Sequence, residues 1–336
     1  MKNIVICLDG TWNKPDEEKH EESEETNVRN LWEILDKNDR NKQVVYYDQG
    51  VGSHWYDRIR GGISGRGLSK NIKEAYFEVC KCYDDGDKVF IFGFSRGAYT
   101  ARSLAGMIYS CGLLDRNKLT DHYIQEAFDV YKKADKHERM RYKEKNKRCE
   151  IEVIGVWDTV GAMGIPIGFL KKMTNKFSQF HDTKLNKEIK HAYHALAIDE
   201  QRETFKPALW DVTKKYDHQI VEQVWFAGVH SDIGGGYKER HHSDVAFKWM
   251  IEKVRNKLII NDSDYAYAID VFEKIHDSYR IYYGCKERRI ASATDIHTPC
   301  VHSSVLEKMQ KVADYKPLAL VDIEDKKTLA PYIVVT

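Results

Sequence analysis

Short apolar runs, each followed by a polar or glycine-rich turn, recur along the chain and predict strands. They are residues 4–8, 44–47, 88–93, 151–157 and 223–229. The runs are rich in β-branched and aromatic side chains and do not alternate strictly with polar residues. That pattern is typical of strands buried on both faces of a parallel sheet.

Helical patterns lie between these runs, over residues 68–83, 98–111, 121–142 and 186–198. Strands that alternate with helices indicate an α/β fold, a three-layer sandwich with a mostly parallel central sheet. Open α/β sheets often run long as one unit. We therefore expect a single domain over residues 1–336.

Three stretches interrupt this alternation, and we predict that they form surface loops or a lid. They cover about residues 14–26, 50–67 and 161–215. The first is mostly acidic and has no apolar periodicity, which is typical of solvated surface. The glycine-rich part of the second lacks the GxxxxGK[ST] pattern of a phosphate-binding loop. Residues 161–186 of the third, like residues 50–67, are rich in glycine or in aromatic and apolar side chains.

The composition narrows the functional class and the compartment. Apolar residues make up 42% of the chain, enough for a large core, and 53 basic against 52 acidic residues disfavour a nucleic-acid binder. No apolar run approaches the roughly 18 residues that a membrane helix needs, and no signal-peptide cleavage site follows the first run. Seven scattered cysteines indicate reduced thiols. We predict a cytoplasmic protein without a metal or cofactor, and leave secretion by a signal-independent system open.

A candidate nucleophile, Ser95, lies in the pentapeptide Gly-Phe-Ser-Arg-Gly at residues 93–97. This is G-x-S-x-G between a buried strand and a helix, the context of a nucleophile elbow. Glycine on both sides allows a sharp turn and a close approach of helix to sheet. The Ser95 hydroxyl is then expected at the carboxyl edge of the sheet, beside the first amides of the helix.

A serine needs a base to take its proton and a carboxylate to orient that base. In this fold the order along the chain is Ser, Asp or Glu, then His. Asp158 and His230 each follow a predicted strand in that order. Asp232 is a second candidate acid or a brace for the glycine-rich turn after it, and His302 is the alternative base. Weaker base candidates are His54, His191, His194, His241 and His242.

The first strand ends at Asp9-Gly10-Thr11, close to the expected edge. Backbone amides of Gly10 and Thr11, with that of Arg96, are candidate oxyanion donors, and Asp9 could brace the loop. Asp-Gly-Thr after a strand also occurs in aspartate-nucleophile phosphatases, whose pattern is D-x-D-G-T. The nucleophile position of that pattern is Cys7 here, which disfavours this interpretation.

Five blocks together resemble a known family. They are residues 8–13, 93–102, 155–161, 195–200 with Arg202, Phe205, Pro207 and Trp210, and 225–237. The chain resembles the α/β-hydrolase domain found in the type-1 phospholipase effectors of the bacterial type VI secretion system. That domain also occurs in many free-standing bacterial and fungal proteins. The blocks follow the family's order over roughly residues 4–305 and include a late H-x-S-V motif at His302.

The resemblance implies a Ser–Asp–His triad at Ser95, Asp158 and His230, and cleavage of an ester bond in a glycerophospholipid. The leading hypothesis is a serine ester hydrolase of lipase or phospholipase type that works through an acyl-enzyme. Its expected partner is a small-molecule or lipid ester, with transient contact to a membrane surface left open and no nucleic acid. The oligomeric state is undetermined.

Two alternatives stay open from the sequence. One is a non-catalytic hydrolase-fold module that binds a partner or ligand. The other is a metal-dependent phosphoesterase built on Asp9, Asp158, His230 and Asp232.

Overall fold

One sheet of parallel strands runs through the protein. The computed structural model describes residues 1–10, 25–50, 64–160, 185–212, 215–278, 288, 298–320 and 332–336. In these residues the strands are β1 (Asn3–Leu8), β2 (Gln43–Asp48), β3 (Lys88–Phe94), β4 (Ile151–Trp157), β5 (Ile189–Ala197), β6 (Ile220–Phe226), β7 (Cys300–His302) and β8 (Ile333–Val335). Their order is β2-β1-β3-β4-β5-β6-β7-β8, and every neighbouring pair is parallel.

Helices connect the strands and cover both faces of the sheet. The α-helices in the described residues are α1 (Asn27–Ile34), α2 (Ser64–Cys82), α3 (Arg96–Cys111), α4 (Asp121–Lys133), α5 (Lys136–Lys143), α6 (His230–Gly234), α7 (His241–Val254) and α8 (Ser303–Lys311). Short 3-10 turns occupy Arg116–Lys118, Glu203–Phe205 and Leu318–Leu320. None of the helices in the described ranges is long and apolar enough to cross a membrane.

Successive side chains of each strand enter different layers, as strand geometry requires. In β1, Ile4, Ile6 and Leu8 pack in the cluster that contains α2, α3 and α4. Val5 and Cys7 pack in the opposite cluster, with α1 and α7. The sheet is thus covered by helices on both faces, and the predicted three-layer α/β-hydrolase-like fold is confirmed.

Polar side chains cap the N-termini of helices α1 and α5. Thr26 accepts from the amide of Arg29 at the start of α1, and Asp135 accepts from the amide of Glu138 at the start of α5. The chain is extended at Ala134, and this extended residue divides the predicted long helix 121–142 into α4 and α5. Asp135 therefore interrupts the periodic pattern because its side chain satisfies the first amides of a new helix.

The prediction of a helix over residues 186–198 is wrong, since β5 occupies Ile189–Ala197 between β4 and β6. Its alanines favour a helix in isolation, but burial between two strands overrides that preference. The predicted insertion 161–215 is also wrong where it includes β5. Residues 161–184 of that stretch lie outside the described residues.

The other two predicted insertions are described only in part. Residues 64–67, predicted as loop, form the first turn of α2, whereas residues 51–63 lie outside the described residues. Residues 11–24 are likewise outside them, and the last residue of the acidic stretch, Thr26, caps α1.

The parallel register brings the carboxyl ends of the strands to one edge. Gly93 of β3 lies beside Leu8 of β1, and the last residues of β4, β5 and β6 follow in step. Helix α3 starts at this edge and passes so close to β1 that a Cβ at Gly97 would lie 2.0 Å from the carbonyl oxygen of Leu8. Only glycine fits there without moving backbone.

Gly97→Ala is expected to lower the free energy of unfolding by about 3 kcal/mol, because the new methyl group overlaps backbone that cannot move aside. Urea unfolding followed by tryptophan fluorescence measures the change. Gly86→Ala is the matched control, since nothing lies within 4 Å of a Cβ there although φ is +92°. Its loss should be about 1 kcal/mol, from the unfavourable φ alone. Equal losses in the two variants would contradict the close-contact explanation.

Candidate active site

Ser95 lies on a sharp turn between β3 and α3, with φ 56° and ψ −118°. A Cβ at Gly93 would lie 2.5 Å from the carbonyl oxygen of Gly97, so the turn requires glycine before the serine as well as after it. Among the described residues, the non-glycine residues with positive φ are Ser95 and Asp158. Such strained backbone persists where the surrounding structure enforces it, often at functional sites.

Asp158 follows the last residue of β4 and is completely buried. Its backbone amide donates to the carbonyl of Ala195, and its carboxylate accepts from the amide of Ala197, both on β5. The adjacent strand therefore fixes both the backbone and the side chain of Asp158.

His230 opens the short helix α6, four residues after β6 ends, and is also completely buried. Its Nδ1 lies 2.6 Å from Asp158 Oδ2, and its Nε2 lies 2.8 Å from Ser95 Oγ. A carboxylate can only accept, so Nδ1 carries the proton and Nε2 is free to accept from the serine hydroxyl. The three side chains thus form one hydrogen-bonded chain from carboxylate to hydroxyl.

Burial, hydrogen bonds and neighbouring charges together set the pKa values of His230 and Asp158. It lowers the pKa of His230 below the usual 6.5, although the hydrogen bond and charge of Asp158 act in the opposite direction. Burial alone would raise the pKa of Asp158, but the charge of Arg288 and the hydrogen bonds of His230 and Arg288 outweigh it. They hold the pKa of that carboxyl well below its usual range. At neutral pH the site therefore holds a carboxylate and a neutral imidazole.

Aromatic rings enclose the imidazole of His230. The Phe94 ring lies 4.6 Å away and the Phe205 ring 4.8 Å away, centroid to centroid. The guanidinium carbon of Arg202 lies over the Phe205 ring, 3.5 Å from its centroid. These rings pack against the imidazole of His230, which has no exposure to solvent.

A second buried acid, Glu200, lies beside the three side chains. It accepts from Arg202 Nε and Nη2 at 2.9 and 2.8 Å, and from the backbone amide of His230 at 3.2 Å. Burial would raise the pKa of Glu200, but the hydrogen bonds and charge of Arg202 prevail and lower it to about 2. Glu200 thereby fixes the backbone position from which the His230 side chain projects.

No sequence pattern assigns a role to Glu200, to Arg202 or to Arg288, whose guanidinium donates to both oxygens of Asp158. Glu200 comes shortly after β5, so correct assignment of that strand would have placed it at a strand end. No local pattern marks Arg288, because its partner is 130 residues away in the chain.

The predicted supporting residues are placed as follows. A Cβ at Gly10 would lie 3.3 Å from the Cβ of Ser95, so the loop after β1 lies directly against the serine. Asp9 accepts from the Gly10 amide, from Thr26 and from Tyr47, and burial raises its pKa to about 6. Thr11 lies outside the described residues.

Arg96 is the first residue of α3, where a backbone amide has no partner within the helix. Its side chain is exposed. Asp232 hydrogen-bonds to other groups: it accepts from the amide of Val229 and lies 2.6 Å from Nδ1 of His276. These contacts make Asp232 a brace for the start of α6.

His302, the alternative base, lies at the start of α8. Its Nδ1 accepts from the amide of Ser304, and its ring stacks on Phe226 at 4.6 Å. Burial lowers its pKa to about 4. These contacts assign His302 a capping role, away from Ser95.

The weaker histidine candidates bond to backbone. His194 accepts from the amide of Thr159, His191 and His241 each pair with a carbonyl oxygen, and His242 does so with Glu273. His54 lies outside the described residues. Across the described ranges, no group of three or more His, Cys, Asp or Glu side chains could hold a metal ion.

Residues 2–253 match the family model described as type VI secretion system, phospholipase effector Tle1-like, catalytic domain. An uncharacterized protein of Saccharomyces cerevisiae is 29% identical over 261 residues, which cover 66% of this chain and 36% of the relative.

Two solved structures match parts of this chain. One is an uncharacterized protein from Pseudomonas aeruginosa, with a TM-score of 0.46 and 17% identity over 80% of this chain and 47% of that one. The other is the Tle1 effector bound to the VgrG spike from the type 6 secretion system, with a TM-score of 0.40 and 19% identity over 70% of this chain and 51% of that one. This chain therefore spans about a third of the yeast relative and about half of each solved chain.

Glu200→Gln is expected to lower the free energy of unfolding at pH 7 by about 3 kcal/mol, the equivalent of a pKa of about 2 in the folded protein against 4.5 unfolded. A carboxyl group whose pKa is lower in the folded protein stabilises the fold at pH values above its pKa in the unfolded chain. The difference between wild type and variant should therefore shrink as pH falls from about 4.5 towards 2.

Urea unfolding at pH 7, 5 and 3.5 measures this difference. Glu222→Gln is the control, because Glu222 pairs with Lys253 at the surface and should contribute less than about 1 kcal/mol. A Glu200→Gln effect that stayed constant between pH 7 and pH 3.5 would exclude the ionic contribution.

Proposed function

This chain belongs to the family of Tle1-like type VI secretion phospholipase effector catalytic domains, and on that premise we propose that it is a serine ester hydrolase of lipase or phospholipase type. The family membership confirms the resemblance that the sequence blocks indicated. One observation carries the proposal: Ser95 Oγ, His230 and Asp158 lie in a continuous hydrogen-bonded chain, with contacts of 2.8 and 2.6 Å.

In the proposed reaction, Ser95 Oγ attacks the acyl carbonyl carbon while His230 Nε2 takes the hydroxyl proton. Asp158 stabilises the imidazolium that forms. The tetrahedral intermediate then collapses, the bond to the leaving alcohol breaks, and His230 returns its proton to that alcohol. Water attacks the acyl-enzyme by the same route and releases the carboxylic acid.

The negative oxygen of the intermediate needs donors that point at it in advance. The backbone amide of Arg96 supports this role, because the first amides of α3 have no partner within the helix. The loop at Gly10 lies against Ser95 and is proposed to supply the second donor, from Gly10 or the following residue. The Ser95 amide donates to the Trp157 carbonyl and does not take part.

The proposed substrate class is a lipid ester, in keeping with the family's phospholipase members. Contact with a membrane surface during the reaction is part of the proposal. The alternative of a non-catalytic binding module predicts an unreactive Ser95, so the same experiment distinguishes the two.

Ser95→Ala should abolish covalent labelling by a fluorophosphonate probe and lower kcat for a 4-nitrophenyl ester by about 10⁴-fold or more. The reason is that the variant lacks the attacking oxygen while the rest of the site is kept. Labelling followed by peptide mass mapping, together with initial rates, provides the measurement.

Ser110→Ala, on the same helix α3 but at its far end, is the matched control and should label like wild type. Ester hydrolysis at the wild-type rate by Ser95→Ala would refute the mechanism. A folded wild type that neither labels nor hydrolyses esters would favour the binding module.

The pH dependence follows from His230, which must be neutral to accept the proton of Ser95. Because burial lowers its pKa, the acidic limb of kcat/KM should have its midpoint below the usual histidine value of 6.5. Below the midpoint, activity should fall about tenfold per pH unit. Rates between pH 4.5 and 8, with tryptophan fluorescence as the control for folding, test this; a midpoint above 6.5 would be inconsistent with a buried base.

A further inference from the structure

Among the described residues, the guanidinium of Arg288 donates four hydrogen bonds, each to a group around the candidate active site. Nη1 donates to Asp158 Oδ1 at 2.6 Å and to the carbonyl of Ala197 at 2.7 Å. Nη2 donates to Asp158 Oδ2 at 2.9 Å and to the carbonyl of Phe205 at 2.6 Å. The side chain is only 3% exposed. A bidentate pair of this kind fixes the rotation of a carboxylate as well as its position.

The charged side chains around His230 balance one another. Asp158 and Glu200 carry negative charges, and Arg202 and Arg288 carry positive ones. A buried carboxylate is stable only when it is paired, and a neutral imidazole supplies a hydrogen bond but no charge. Arg288 is therefore the group that compensates Asp158, as Arg202 compensates Glu200.

We propose that Arg288 is a positioning residue for the reaction: it keeps Asp158 turned towards His230 and compensates its charge, so that His230 stays neutral and able to accept the Ser95 proton. The inference rests on the proposed serine hydrolase function. It also extends the working site past residues 2–253, the part that the family model matches. The chain then needs a residue outside that part to complete its site.

The identity of the cation matters for this role. Asp158 needs two parallel donors, and the carbonyls of Ala197 and Phe205 need two more from the same group. A guanidinium presents donors in a rigid planar fork, whereas an ammonium is a single point charge. Arg288 thus joins the end of β5 and the 3-10 turn Glu203–Phe205 to the carboxylate through one side chain.

Removal of Arg288 should raise the proton affinity of His230. The charged groups that face His230 are Asp158 after β4, and Glu200 and Arg202 after β5. Burial has the largest effect and lowers the pKa of His230; Asp158 and Glu200 raise it, and Arg202 lowers it. Without the Arg288 charge, the negative Asp158 is uncompensated, and the coupled Asp158–His230 pair takes up a proton at higher pH.

The test is a histidine-selective NMR titration of wild type and Arg288→Met, with the His230 signal assigned by its loss in His230→Gln. We expect the apparent pKa of His230 to rise by about one unit or more in Arg288→Met. The control is Arg102→Met, which removes a half-buried guanidinium that lies over the Trp210 ring, 5.0 Å from its centroid. That variant should leave the His230 titration unchanged.

An unchanged His230 titration in Arg288→Met would overturn the proposal. Arg288→Lys gives a second test, which also serves if Arg288→Met does not fold. It keeps the charge but loses the fork, so kcat for ester hydrolysis should fall about tenfold or more, with KM within about threefold of wild type and the acidic limb unmoved. Wild-type kcat in Arg288→Lys would overturn the positioning role.

The titration requires no turnover, so it separates this proposal from the proposed function. Fluorophosphonate labelling of Ser95 tests the function, and the His230 titration tests Arg288. Labelled wild type with an Arg288-independent titration would refute only the role of Arg288. Unlabelled wild type with an Arg288-dependent titration would refute only the hydrolase.

Discussion

The carboxylate of Asp158 has no exposure to solvent, and the candidate active site depends on how its charge is compensated. An isolated carboxylate in such a place would take up a proton, and it would then lack the negative charge that stabilises an imidazolium. The hydrogen bonds of Arg288, His230 and the Ala197 amide keep it ionised. The tautomer of His230 follows from that condition, because its Nδ1 donates to the ionised carboxylate.

The geometry of the sheet brings the side chains of the site together from separate parts of the chain. Parallel strands deliver their last residues to one edge, so the serine after β3, the aspartate after β4 and the histidine after β6 meet without long loops. At two glycines near this edge, neighbouring atoms lie too close for a larger side chain. Gly97 lets α3 approach β1, and Gly234 of α6 lies where a Cβ would meet the Phe94 ring at 2.0 Å. Backbone space, as much as side-chain chemistry, sets the positions of Ser95, Asp158 and His230.

Site residues that directly follow a strand can be predicted from the sequence. Ser95, Asp158 and His230 are predicted because each follows an apolar run, and the structure brings these three within hydrogen-bond distance. Their catalytic roles stay a prediction. The pattern of residues 186–198 predicts a helix in place of β5, because periodicity in an alanine-rich segment does not reveal the two strands that enclose it.

Without β5, the sequence pattern does not place Glu200 at a strand end. Arg288 cannot be predicted from the sequence for a different reason. Arg288 belongs to no periodic element in the described residues and contacts carbonyls as well as a carboxylate, so nothing near it in the sequence indicates its partner. Compensation of a buried charge is a property of the assembled fold. Pairs of this kind become visible only when residues far apart in the chain are placed together.

The separation of Arg288 from Asp158, 130 residues along the chain, also has a consequence for the order of events during synthesis. Residues 1–253 can emerge from the ribosome with serine, histidine and both acids present while the guanidinium for Asp158 is still untranslated. Until it arrives, the buried carboxylate lacks its counter-charge, and closing this edge of the sheet around it is unfavourable. The nascent chain can therefore pair the Asp158 carboxylate with its guanidinium only after residue 288 has been translated.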